Sequence, residues 1–181
     1  MKDLSLHLLD LAMNSIRAHA TFIEIELMEL EEKNLLIIHL KDNGDGMSEE
    51  TVTQVKSPFF TTRSTRKVGL GLSLLSAMAT HCRGDIYISS KLGEGTTVTL
   101  KVQLNHVDRP PFGDIHSTIR SLIYLESTID FKYYHQRNDE HYEFETRQVR
   151  KVIGKLPINY PSVMEWIQNE LKMGDLSFTS Y

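Results

Sequence analysis

The sequence lacks the pairs and runs from which several protein classes are built. Its single cysteine, Cys82, excludes an internal disulfide, and no CxxC or Cys/His zinc spacing is present, so a reducing, cytoplasmic setting is expected. No apolar run exceeds the four residues of 35–38, far short of the ~20 that span a bilayer. Met1, Lys2 and Asp3 do not open a signal peptide, and no membrane association is expected. There is no basic half either. The formal charge is −4, its acidic excess shared evenly between residues 1–104 and the remainder, which removes the footprint of a nucleic-acid binder. Hydrophobic residues at 40% and charged residues at 24% are ordinary for a globular chain, so composition alone assigns no function.

What is present is periodicity. Leu4, Leu8, Leu11 and Ile16 recur near helical spacing, and residues 5–20 contain no Pro or Gly, which predicts a first helix. Phe22, Ile23, Ile25 and Leu27 alternate with Glu24 and Glu26, and a charged turn at 31–34 leads into the apolar stretch 35–40, a two-stranded hairpin. The turn Asp42-Asn43-Gly44-Asp45-Gly46 precedes Ser48-Glu49-Glu50, a helix start. Residues 69–81 place Leu70, Leu74, Leu75 and Met78 on one helix face, and 86–88 and 97–102 read as strands about Gly93-Glu94-Gly95. A linker is expected at 106–113, where Pro110, Pro111 and Gly113 break the pattern. Residues 114–181 then read as a separate small α-β-β-α unit. Asp114 caps a helix carrying Ile115, Ile119, Leu122 and Ile123; 131–134 and 142–145 flank a turn at Asn138-Asp139; and 161–172 close as a helix bearing Val163, Trp166, Ile167 and Leu171. Tyr133, Tyr134 and Tyr142 are expected to be exposed there as a docking or dimer surface.

Three constellations carry chemistry. Asp10 and Asn14, four apart, share a helix face. An ionised carboxylate only accepts hydrogen bonds and an amide oxygen is a hard neutral ligand, so the pair suits orienting a water and holding Mg2+, with Arg17 adding a cation. Solvated helix residues have the same look. In the DNGDG turn, glycine lets the backbone pass close to a ligand while Asp42 presents acceptors to an exocyclic amine; an ordinary turn shares that composition, and the spacing excludes an EF-hand. Gly69-Leu70-Gly71-Leu72 enters a helix directly, exposing N–H groups at the positive end of its dipole, where phosphate is favoured. Arg63, Arg66 and Lys67 lie just upstream. The stretch is neither a Walker A nor a Rossmann sequence, and a packing role for its glycines stands beside the phosphate one.

Taken in order, the Asn14 helix, DNGDGM, SPFFTTR, VGLGLSLL and GEGTTVTL, spaced across residues 5–104, resemble the N, G1, F, G2 and G3 boxes of the GHKL ATPase superfamily. That group holds histidine kinases, anti-sigma serine kinases, gyrase, MutL and heat-shock chaperone ATPases. The resemblance implies a Bergerat fold over residues 1–105: an α+β two-layer sandwich, a mixed sheet with helices on one face, taking ATP and Mg2+. It implies that Asn14 ligates Mg2+, that Asp42 recognises the adenine amino group, that Gly44, Gly46 and Met47 belong to the turn beside it, and that Thr96 helps Asp42 fix adenine through water. Phe60, Thr61, Thr62 and Arg63, with Lys67, Val68, Gly69, Leu70, Gly71 and Leu72, would form the lid and phosphate cradle, joined by Arg17. SPFFTTR followed by GLGLSLL, and a basic Arg17 where MutL has aspartate, match the histidine-kinase branch better than MutL or gyrase. Asp10 stands where many histidine kinases have asparagine and hydrolysing relatives have glutamate, and is the expected general base with a shorter reach. Lys67 replaces the glycine that usually opens the G2 box.

A sensor kinase carries its acceptor histidine on a dimerisation helix pair ahead of the ATPase domain. Here the first helix begins at the N-terminus, so the acceptor, histidine or serine/threonine, is expected on another protein. His116, in HSTIRSL, lacks the acidic residue and proline of an H box; His135 and His141 flank the hairpin turn and are expected to be structural; His7, three before Asp10, is close enough in sequence to contact it. The expected function is a soluble protein kinase passing the ATP γ-phosphate to a partner protein. The alternative is an ATP-gated switch or slow ATPase acting on a regulatory partner, and a homodimer fits either.

Overall fold

The computed structural model describes residues 3–55 and 70–176. Helix α1 (Leu4–Arg17) starts where Asp3, in extended conformation, accepts the Leu6 N–H. Two further N–H groups of its first turn, at Leu4 and Ser5, donate to the carbonyls of Pro111 and Phe112 at 2.9 Å. Those groups have no partner inside a helix, so the segment expected as a linker at 106–113 caps α1 instead. Strands β1 (Phe22–Leu30) and β2 (Leu35–Asp42) pair antiparallel around the short turn Glu31–Lys33. Helices α2 (Glu49–Val55) and α3 (Leu70–His81), then β3 (Asp85–Lys91) and β4 (Gly95–Gln103), follow the expected order.

Alternation along the strands makes two unlike faces. Ile23, Ile25 and Leu27 of β1, Leu36, Ile38 and Leu40 of β2, and Val98, Leu100 and Val102 of β4 are buried on one face. Glu24, Glu26, His39, Lys41, Thr97 and Thr99 alternate with them on the other. α1 contacts α3 on one side and α4 (Ile115–Leu125) on the other, and α4 contacts α6 (Pro161–Leu176), so four helices lie side by side over the apolar face. The result is the two-layer α+β sandwich expected from the resemblance. Each fully buried Leu or Ile in that interface stabilises by roughly 1.5–3 kcal/mol.

Residues beyond 113 are arranged otherwise than expected. β5 (Asp130–Arg137) and β6 (Glu140–Glu145) do not form a sheet of their own. The single sheet runs β3-β4-β2-β1-β5-β6, with β5 parallel to β1 in the register Ile25↔Tyr133 and every other pair antiparallel. Parallel pairing needs a long crossover, and residues 31–129 supply it. Tyr133, expected to be exposed, is 1% exposed, because its register puts it on the helix-covered face beside Phe131. Tyr142 is half-buried and donates its hydroxyl to the Glu170 carbonyl of α6, 3.1 Å away. A helix the periodicity did not show, α5 (Thr146–Ile153), follows β6; its Arg150 is drawn onto Asp130 at 2.8 Å and its Arg147 lies over the Phe22 ring. No described helix is long and apolar enough to cross a membrane.

Candidate functional site

Asp42 ends β2 and is 7% exposed. No cation accompanies it among the described residues. Its Oδ2 accepts the Ser15 hydroxyl of α1 at 2.7 Å, and its Oδ1 accepts the backbone N–H groups of Gly44 at 2.9 Å and Thr96 at 3.2 Å. An ionised carboxylate offers about four lone-pair directions. Three are taken by neutral donors, two on Oδ1 and one on Oδ2, and the described residues supply no fourth.

The glycines around it are there for space. A Cβ at Gly44 would lie 2.4 Å from the Ala18 carbonyl oxygen, and one at Gly95, where φ is +101°, would lie 2.0 Å from that of Asp42. Gly46 adopts φ +67° and passes equally close to Lys91. The turn is fastened to both neighbours: the Asp45 N–H donates to Ala18, and the Asn43 side-chain oxygen accepts from the N–H groups of Thr21 and Phe22. His19 Nδ1 lies 2.7 Å from Asp45 Oδ2 across the outer side. Ser90 ties the far wall together, its hydroxyl accepting from the Met47 N–H and lying 2.8 Å from the Thr96 hydroxyl. Thr96 therefore reaches Asp42 by its backbone, while its hydroxyl is engaged with Ser90.

On the adjoining face of α1, Asp10 is exposed, Asn14 half-buried and Arg17 exposed. Arg17 donates to Asn14 Oδ1 at 3.0 Å, so that oxygen already accepts from a cation. A Cβ at Gly71 would sit 3.3 Å from Asp10 Oδ2, which puts the start of α3 directly against Asp10. Leu72 faces inward and belongs to the core; Met47 is half-buried against it. Phe60, Thr61, Thr62, Arg63, Lys67, Val68 and Gly69 lie outside the described residues, as does the side chain of Leu70. Among the described residues no group of three or more His, Cys, Asp or Glu could hold a metal ion. The Asn14 amide oxygen, once released by Arg17, and the Asp10 carboxylate a turn away are oxygen donors of the kind that suit Mg2+, which keeps few protein ligands and takes the rest from water and phosphate.

The histidines divide. His135 bonds Glu29 at 2.9 Å and faces Tyr142 across the hairpin, while His141 faces Gln136 and stacks on Tyr134, so the two do not meet. His116 packs edge-on to Tyr133. His7 is 4% exposed, its Nδ1 has no hydrogen-bond partner among the described residues, and burial pulls its pKa below the usual imidazole value. Two members of the site escaped sequence reasoning. Ser15 had a signal, one position past Asn14 and four past Leu11 on the core-facing side of α1, whereas Ser90 sits in an unremarkable strand sequence.

The family model for histidine kinase-, DNA gyrase B- and HSP90-like ATPases matches residues 2–106. A putative sensor protein from Shewanella frigidimarina is 36% identical over 103 residues, covering 56% of this chain and 16% of that protein. The sensor histidine kinase YvrG of Bacillus subtilis is 31% identical over 91 residues, 48% of this chain and 16% of its own length. The chain thus spans about a sixth of either relative. Among solved structures, the Aquifex aeolicus MutL ATPase domain complexed with ADP superimposes with a TM-score of 0.50 at 15% identity, covering 84% of this chain and 69% of that one, a likeness of fold. The family-model match ends at residue 106, whereas the fold likeness, covering 84% of the chain, extends beyond it. With a matching family model over more than half its length and the mixed sheet under its helices, the chain belongs to the histidine kinase-, DNA gyrase B- and HSP90-like ATPase family, as a histidine-kinase-like ATPase domain.

Proposed function

We propose that this chain binds ATP at the Asp42 end of the sheet and passes its γ-phosphate to a side chain of a partner protein in the cytoplasm. The observation that carries the reading is Asp42 itself, a buried carboxylate whose described partners are all neutral donors, with only one of them on Oδ2. A carboxylate oxygen can accept a second hydrogen bond beside the one from Ser15, and an exocyclic amine would supply that donor. The ADP complex of the MutL ATPase domain and the sensor-kinase relatives support the nucleotide and the kinase halves of the reading respectively.

Asn14 would hold Mg2+, which supplies charge neutralisation on the phosphates when bound. Arg17, now on Asn14 Oδ1, swings to the transferring group once that oxygen is engaged. Asp10 is exposed and lies against the start of α3, where it accepts a proton from an incoming hydroxyl or imidazole. Arg63 and Lys67 join the phosphate contacts in this proposal by sequence alone. The test is incubation of the chain with its co-purifying proteins and γ-labelled ATP. Label on a protein, lost with Asn14→Ala, supports the kinase. Label released only as free phosphate replaces it with the ATPase or switch reading.

A further inference from the structure

β2 rises about 3.3 Å per residue, so its start lies more than two nanometres from Asp42. At that far end a cleft of about 400 Å³ is lined by Lys33, Leu35, Arg83, Asp85, Tyr87 and Lys101. Its three cations come from three separate segments: the turn before β2, the α3–β3 turn and β4. None makes an ion pair among the described residues. By contrast Lys132 pairs with Glu24 and Glu143, Arg137 with Glu31, and Arg147 and Arg150 with Asp130, while other cations without an ion pair among the described residues, such as Lys41, Arg120 and Lys155, lie outside this cleft. A chain of formal charge −4 has thus gathered three unneutralised cations at one place.

The cleft is held by backbone. Gly84 passes so close to β4 that a Cβ would lie 1.9 Å from the Lys101 carbonyl oxygen, and Leu104 donates to the Asn34 carbonyl at 3.1 Å. Asp85 is the one carboxylate in the lining; its Oδ1 accepts the Ile86 N–H, and it sits opposite Lys101 in the ladder. Glu32 is next to Lys33 in sequence but outside the lining. Tyr87 is 52% exposed, with the Lys101 ammonium 5.6 Å from its ring centre, so the cations border an aromatic floor that takes hydrocarbon.

We infer that this cleft is a docking site for an acidic, extended segment of a partner protein, with carboxylates on Lys33, Arg83 and Lys101 and an aliphatic stem against Tyr87 and Leu35. Nucleic acid is the poorer fit, since three cations beside an aspartate do not form the long basic stripe that a phosphate backbone needs. The site is independent of ATP, being at the opposite end of the sheet.

The probe is a fluorescein-labelled Glu-Ser repeat peptide, with a Lys-Ser repeat as its counterpart, followed by anisotropy. The Glu-Ser peptide is expected to bind, about tenfold or more tighter than the Lys-Ser peptide, and to weaken as salt is raised. Arg83→Glu with Lys101→Glu, both exposed positions, should cost about tenfold or more in that affinity while leaving ATP binding unchanged; Lys33→Gln should cost less. Equal binding of the two peptides, indifference to the charge reversals, or complete displacement by inorganic phosphate at matched ionic strength would overturn the inference. Tighter binding of a single-stranded oligonucleotide at the same cleft would do so too.

Discussion

Asp42 and Asp130 are both mostly buried aspartates at strand ends of one sheet, and their partners are opposite in kind. Asp130 starts β5 and receives Arg150 at 2.8 Å, Thr146 at 3.1 Å and Arg147 at 3.3 Å. Burial alone would raise its pKa, but the hydrogen bonds from Arg150, Thr146 and Arg147 outweigh it and hold the carboxyl below its usual range. Its charge is neutralised on the spot, which fastens α5 to the sheet. Asp42 has only a hydroxyl and two backbone N–H groups, so its charge is left for something else to meet. A carboxylate closed by cations serves as a structural tie, whereas one held by neutral donors keeps its charge available, which is why Asp42 is the one proposed to meet a ligand.

The same substitution at both positions should separate the two roles. Asp42→Asn turns an amide N–H toward the adenine amine, donor against donor, and should weaken ATP binding by about 30–100-fold, the equivalent of a lost hydrogen bond to a charged group. Its unfolding free energy should move by less than about 1 kcal/mol, since Gly44 and Thr96 keep an oxygen to donate to. Asp130→Asn should do the reverse, costing about 1.5–3 kcal/mol in urea unfolding with ATP affinity unchanged, because two guanidinium groups lose their counter-charge. The lowered pKa of Asp130 adds a sign: its contribution is present above about pH 4, the unfolded value, and is lost as pH falls through the native value, so Asp130→Asn should flatten the acid limb below about pH 4.

Ser15→Ala should have a smaller effect, about fivefold on ATP affinity, by removing the donor that turns Oδ2. Smallest is His7→Leu, near neutral or slightly stabilising at pH 8, because it removes an imidazole nitrogen with no partner in the described core. Burial lowers the native pKa of His7, so the wild type should lose stability as pH falls below about 6.5, the unfolded value, and the variant should lack that step while keeping the acid limb of Asp130.

How much of this was legible differs between the two halves. The α1–β4 part follows from periodicity, whereas Asp42, Gly44 and Gly46, whose composition alone fits an ordinary turn, were singled out by the order of motifs resembling the GHKL superfamily. Beyond residue 113 local patterns gave the helices and the hairpin but not their place. Which strand β5 joins is decided by a parallel register with β1 across about a hundred residues, and no local pattern encodes that. Tyr133 shows the cost: an aromatic in a hairpin looks like a surface group until the sheet it belongs to is known. Ser90, which joins Met47 to the Thr96 side of the cradle, was invisible for the same reason, its meaning arising only from what folds against it.

Asp42 is proposed to select adenine by its amine. Titration calorimetry with Mg2+ and either ATP or inosine triphosphate, whose base carries an oxygen where adenine carries the amine, tests it directly. The account predicts that ATP binds at least about 30-fold tighter, and that Asp42→Asn erases most of the difference. Equal affinity for the two nucleotides, or a preference that survives Asp42→Asn, would contradict it.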